Sequence, residues 1–173
     1  LDESWNRREV ERVAGIVSAT VKNFAGQEDG ALPIVETISV NTVTGRNGTH
    51  GNGQVHQDVA RIGIIGCGQM GRWHLNSYKN NPSCKVVAVA DTDFSKAQDF
   101  AAEVGARAYR SHAEMITKES LTGVSVCTLP STHRDIVVDV LRAGIHVLCE
   151  KPLAISVGQA REMLEAAQDS NLL

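Results

Sequence analysis

The segment Arg61-Ile62-Gly63-Ile64-Ile65-Gly66-Cys67-Gly68-Gln69-Met70-Gly71 runs from an apolar stretch of strand length into three glycines spaced G-x-G-x-x-G. A helical pattern follows at once. Each glycine has its own physical task in such a setting. Gly66 permits a tight turn out of the strand. Gly68 leaves the backbone bare, so that an anionic group can approach where a β-carbon would clash. Gly71 lets the helix pack closely on the strand. The helix N-terminus behind the loop presents free N–H groups and the positive end of the helix dipole. The competing reading is a glycine-rich turn that merely connects. The strand before and the helix after favour a pyrophosphate cradle, with Gln69 and Met70 supplying its first helical N–H groups.

Downstream of this unit the pattern alternates to the C-terminus. Strands are predicted at 60–66, 85–90, 106–109, 123–127 and 146–149. Helices are predicted at 70–80, 95–104, 112–118, 132–143 and 157–168. The strands are apolar on both faces, which points to a parallel sheet covered by helices on both sides. Right-handed crossovers then give a doubly wound α/β sheet, a dinucleotide-binding Rossmann domain over residues 59–173. Asp91 closes the second strand, twenty residues after Gly71. A carboxylate there can accept hydrogen bonds from the adenosine ribose hydroxyls and would repel the 2′-phosphate of NADP. With Asp93 adding negative charge and Lys96 as the opposing cation, NAD is the expected cofactor and NADP the less favoured one. Asp93 or Ser95 is better placed than Asp91 to cap the next helix.

Past the fifth strand lies Cys149-Glu150-Lys151-Pro152-Leu153. Charged residues at the carboxyl end of a parallel strand sit where such sheets bind ligands, though a surface loop would look the same. The whole segment Ala143-Gly144-Ile145-His146-Val147-Leu148-Cys149-Glu150-Lys151-Pro152 resembles the A-G-x-H-V-x-x-E-K-P signature of the Gfo/Idh/MocA (glucose–fructose oxidoreductase / inositol dehydrogenase) family. Upstream, Cys127-Thr128-Leu129-Pro130-Ser131-Thr132-His133 is similar to that family's T-P-x-x-x-H loop. Here Leu129 stands where the family has proline, and Pro130 follows one place later.

The resemblance implies that Lys151 is catalytic, lying near the nicotinamide ribose and the substrate hydroxyl. It implies that Glu150 holds the ribose side and that the Lys151–Pro152 bond is cis. It adds Thr128, Leu129, Pro130, His133 and Pro152 to the cofactor site; for His133 a plain helix-start role competes. His146, at a strand start, is read as structural. Trp73 is read as packing the helix on the sheet, and His74 as a candidate contact.

The reaction so implied is hydride transfer between nicotinamide and a sugar, cyclitol or related polyol, by an enzyme that is a homo-oligomer when complete. Two other readings stand beside it. One is a redox-neutral relative that returns the hydride, giving elimination or glycoside cleavage. The other is a nonenzymatic dinucleotide-binding interaction module. In the family a second domain supplies substrate contacts and an acid/base residue.

Composition sets the outer limits. The 173 residues carry a net charge of −3, which gives no reason to expect a nucleic acid or an anionic membrane as partner. No apolar run approaches the roughly 20 residues that span a bilayer. Cys67, Cys84, Cys127 and Cys149 lack C-x-x-C pairing and histidines at zinc spacing, so reduced thiols in a cytoplasmic protein are expected and no metal site. In residues 1–40, Val10, Val13, Val17, Val21 and Phe24 recur at helical spacing, predicting an amphipathic helix over 4–26. β-Branched residues over 34–43 suggest a strand. Residues 41–58, rich in glycine and asparagine and holding His50 and His56, read as a flexible linker. The chain opens on Leu1 and closes without a helix-stop signal, which suggests a piece of a longer protein.

Overall fold

The computed structural model describes residues 59–172. The expected helix over 4–26, strand over 34–43 and linker with His50 and His56 lie outside the described residues. The strands are β1 (Ala60–Ile65), β2 (Cys84–Ala90), β3 (Arg107–Tyr109), β4 (Gly123–Val126) and β5 (His146–Cys149). The helices are α1 (Gln69–Lys79), α2 (Phe94–Val104), α3 (His112–Lys118), α4 (Pro130–Arg142) and α5 (Val157–Ser170). The sheet order is β3-β2-β1-β4-β5 and every pairing is parallel. This is the doubly wound α/β sheet read from the alternation. The order of strands reverses between β1 and β4, and a crevice at the carboxyl ends is the usual consequence of such a reversal.

The two faces of the sheet bury different sets of side chains, as the period of two along a strand requires. Ile62 and Ile64 of β1 pack with Leu75 and Tyr78 of α1 and with Ala97 and Phe100 of α2. Ile65, Ala88 and Val126 face the other way, onto Met115, Ile136, Val137, Val140 and Met163. Full burial of one such aliphatic side chain stabilises by about 1.5–3 kcal/mol.

Two local expectations are corrected. Helix α4 starts at Pro130, two residues before the expected position. Proline's fixed φ suits the first helical position, where its missing N–H costs nothing. In α1 the buried positions are Gly71, His74, Leu75 and Tyr78, spaced i, i+3, i+4 and i+7. Trp73 falls one step off that stripe and is 38% exposed, so it is His74 and not Trp73 that packs inward.

Glu119, just past α3, is buried. It takes the hydroxyl of Tyr109 at 2.6 Å and ion pairs from Arg107 and, at 3.5 Å, Arg61. Both arginines keep much of their surface in water, whereas the Tyr109 hydroxyl does not. Glu119→Ala therefore strands a buried donor and is expected to cost about 1–3 kcal/mol. The urea midpoint of unfolding reads this directly; an unchanged midpoint would show that the cluster contributes nothing.

Candidate cofactor site

Strand register assembles the site. Ile65 is level with Ala90 of β2 and with Val126 of β4, and Val126 is level with Cys149 of β5. The next residue of each chain segment is therefore Gly66, Asp91, Cys127 or Glu150, side by side along the carboxyl edge. Residues distant in sequence reach one rim because the parallel ladder leaves no other option.

At the centre, Gly66 turns with φ +96, and a β-carbon there would stand 2.7 Å from the Cys127 carbonyl. A β-carbon on Gly71 would meet the Gly66 carbonyl oxygen at 2.0 Å. Both glycines are demanded by the folded chain itself. Gly68 differs: a β-carbon there meets nothing within 4 Å, and its φ of −86 suits any residue. No side chain caps the helix that Gly68 opens, whereas Ser111 and Ser156 cap α3 and α5. The N–H groups of Gln69, Met70 and Gly71 precede the first intrahelical hydrogen bond, from the Arg72 N–H to the Gly68 carbonyl. The open space over Gly68 and these donors fit a pyrophosphate.

Asp91 stands beside the loop. Its Oδ2 accepts the Cys67 N–H at 2.7 Å and its Oδ1 accepts the Asp93 N–H at 2.8 Å. It thus braces the glycine loop while retaining lone pairs for further donors. Asp93 is the N-cap of α2 by position, without a side-chain cap bond. Lys96 pairs with Asp93 at 3.4 Å on the surface. The Tyr109 carbonyl accepts the Asp91 N–H, and the following residue, Arg110, lies 4.2 Å over the Phe94 ring. The sequence reading did not place Arg110 next to the backbone partner of Asp91, because it follows another strand.

On the far side of the switch point, Thr128 is half-buried, Leu129 points its side chain into solvent, and Pro130 opens α4. His133 has no exposed surface. Its Nε2 lies 3.0 Å from the Thr128 carbonyl oxygen, and its Nδ1 lies 3.2 Å from those of Pro152 and Leu153. The ring ties the β4–α4 loop to the segment after β5. It shapes the site from behind and offers no surface to a ligand, in place of the direct contact expected from the resemblance.

Lys151 and Pro152 are exposed and their peptide bond is cis. Glu150 is half-buried. One of its oxygens lies 2.9 Å from His74 Nε2, and the other accepts the Lys151 N–H at 3.1 Å. The hydrogen bond from His74 holds this carboxyl below the usual carboxylate range, against burial, which pushes it up. His74 Nδ1 is 3.1 Å from Ser125 Oγ, which is 2.6 Å from Tyr78 Oη. This chain was not read from sequence beyond His74. Its trace was there: histidine and tyrosine at i and i+4 on the buried stripe of α1, and one serine inside an apolar strand. His146 is buried at the opposite end of the sheet, as a structural residue should be.

All four cysteines are free. Burial pushes the Cys67 and Cys149 thiols up to about 12 and Cys84 up to about 11, so they remain protonated. Among the described residues no helix is long and apolar enough to cross a membrane.

A parallel sheet with a glycine loop at its switch point and a carboxylate closing the second strand defines a dinucleotide-binding domain of Rossmann type. The chain belongs to the Gfo/Idh/MocA oxidoreductase family with an NAD-binding Rossmann fold, whose pattern matches residues 60–173. An inositol 2-dehydrogenase of Rubrobacter xylanophilus is 35% identical over 106 residues, 61% of this chain and 30% of that protein. The structure of GenD2 from gentamicin A biosynthesis, in complex with NAD, is 30% identical with a TM-score of 0.65, covering 73% of this chain and 36% of that one. KijD10, a 3-ketoreductase from Actinomadura kijaniata solved with NADP and TDP-benzene, is 28% identical with a TM-score of 0.63, over 67% of this chain and 36% of that one. The chain spans about a third of the length of the curated relatives it matches.

Proposed function

We propose that this chain is the cofactor-holding part of an NAD-dependent oxidoreductase that interconverts a secondary alcohol of a polyol, cyclitol or sugar with its ketone. The observation that carries the reading is the row of strand ends that sets an unobstructed Gly68 loop, Asp91 and Glu150-Lys151 on one rim. The glycine loop and the N-terminal N–H groups of α1 receive the pyrophosphate. Asp91 accepts the adenosine ribose hydroxyls. Glu150 faces the nicotinamide ribose. When bound, the nicotinamide supplies a hydride donor or acceptor at its C4. Lys151, exposed beside Glu150, orients the substrate hydroxyl and assists movement of its proton. Thr128, Leu129, Pro130 and Pro152 form the wall on that side, with His133 fixing their backbone.

The relatives' greater length supports a further, substrate-selecting part that brings an acid/base residue. On this reading the complete protein is a cytoplasmic homo-oligomer, and the free thiols fit a reducing compartment.

Asp91→Ala tests the cofactor assignment. Loss of charge-assisted hydrogen bonds to ribose is expected to weaken NAD by about ten- to a hundredfold. NADP should lose much less, because removing the carboxylate also removes repulsion of its 2′-phosphate. Loosening of the Cys67 N–H affects both cofactors alike, so the difference between them, read by calorimetry, isolates the ribose contact. Equal losses would refute it.

A further inference from the structure

The buried chain Tyr78–Ser125–His74–Glu150 contains four polar side chains whose hydrogens can be placed by elimination. A carboxylate only accepts, so the proton between His74 and Glu150 sits on Nε2. A neutral imidazole then leaves Nδ1 as an acceptor, and Ser125 is the group that faces it. With its own hydrogen given to Nδ1, Ser125 accepts the hydroxyl of Tyr78. Burial pushes the Tyr78 phenol up, so it remains a donor. For a neutral ring the order is Tyr78 O–H to Ser125, Ser125 O–H to Nδ1, and Nε2–H to Glu150. If the ring carried both protons, Ser125 would receive two donors at once and its own hydrogen would lose this acceptor.

His74 is 3% exposed and Ser125 is 0% exposed, so neither can reach a ligand. Their path to the site runs through Glu150, whose second oxygen accepts the Lys151 N–H. We propose that His74 is a positioning residue, set as its Nε2–H tautomer by Ser125 and Tyr78, which aims the Glu150 carboxylate and thereby fixes Lys151 at the nicotinamide end of the site. The proposal rests on the functional reading above for the role of Glu150 and Lys151, but the polarity of the chain needs only these hydrogen-bond distances, a protonated Tyr78 and a neutral His74 ring. A half-buried carboxylate with one oxygen on a ring and the other on its neighbour's backbone cannot swing without breaking both bonds. The adenosine end, held by Asp91 and the glycine loop, shares none of these contacts.

Two measurements on the 173-residue chain test it. The imidazole nitrogen chemical shifts of His74 should be pyridine-like at Nδ1 and pyrrole-like at Nε2, and Ser125→Ala should turn this into a mixture of tautomers. An Nδ1–H tautomer or a doubly protonated ring at neutral pH in the unsubstituted chain would overturn the proposal. The second measurement is affinity for NAD and for ADP, which lacks the nicotinamide half. His74→Leu should weaken NAD by about tenfold and leave ADP within twofold, and His74→Gln, which keeps a donor toward Glu150, should recover most of the loss. Parallel losses for NAD and ADP would mean that His74 is only packing, and would overturn the positioning role. If the unsubstituted chain binds neither ligand, the cofactor reading and the positioning role fail together, while the tautomer measurement still decides the polarity.

Discussion

Gly68→Val should abolish dinucleotide binding while leaving the fold intact. The backbone at Gly68 is extended, where a β-branched residue is at ease, and a β-carbon has open space around it. Nothing in the folded protein therefore requires glycine. What requires it is the ligand: a valine side chain would occupy the space over the loop and keep a phosphate from the N–H groups of Gln69 and Met70. Losing two or more charge-assisted hydrogen bonds at about 1.5–3 kcal/mol each lowers affinity by more than a hundredfold. A thermal melt matching the parent, together with no calorimetric heat on adding NAD, is the expected pair of results. Undiminished binding would remove the phosphate loop from the account.

Gly71→Ala should do the reverse, unfolding or severely destabilising the domain before any ligand is added. The new β-carbon would fall 2.0 Å from the Gly66 carbonyl oxygen. That atom is backbone and cannot rotate away, and Gly66 is itself held by the hydrogen bond from its N–H to the Ala90 carbonyl. Relief requires α1 to lift from the sheet, parting Leu75 and Tyr78 from Ile62 and Ile64. Overpacking with no flexible neighbour to yield is expected to cost about 3 kcal/mol or more. The midpoint of chemical denaturation measures it, and a parent-like midpoint would show that the close helix–strand approach is wrong. One motif thus holds glycines of two kinds, in the division of tasks that its position between strand and helix implies.

Much of the fold was legible because its causes are local. Apolar runs of strand length, amphipathic stretches between them and the glycine loop sufficed for the order of elements and for the rim that carries Asp91 and Glu150. Helix α4 began early because Pro130 can serve as a first helical residue, which its position after a strand does not announce. Trp73 faces outward and His74 inward because a shift of one residue rotates a helix by about a hundred degrees, and large apolar character is a poor guide to that phase. His133 kept two readings, cofactor contact and helix start, for a related reason. Whether a histidine meets a ligand or three main-chain carbonyls depends on which loops lie against it.

The polar interior was the least legible part. Glu119 looks like a surface residue in sequence and Ser125 like an odd polar residue in an apolar strand, and each is paired by partners from distant segments. Arg61, Arg107 and Tyr109 converge on the first, and His74 and Tyr78 on the second. Buried polar groups must be paired, so their discovery waits on knowing the neighbours.

The measurement that bears most directly on the account is calorimetric titration of NAD into the unsubstituted chain, with NADP and the Gly68→Val chain run alongside. The account predicts one NAD site per chain, weaker binding of NADP, and no heat from Gly68→Val at an unchanged melting temperature. Absence of NAD binding by a folded parent chain, or equal binding by Gly68→Val, would contradict it.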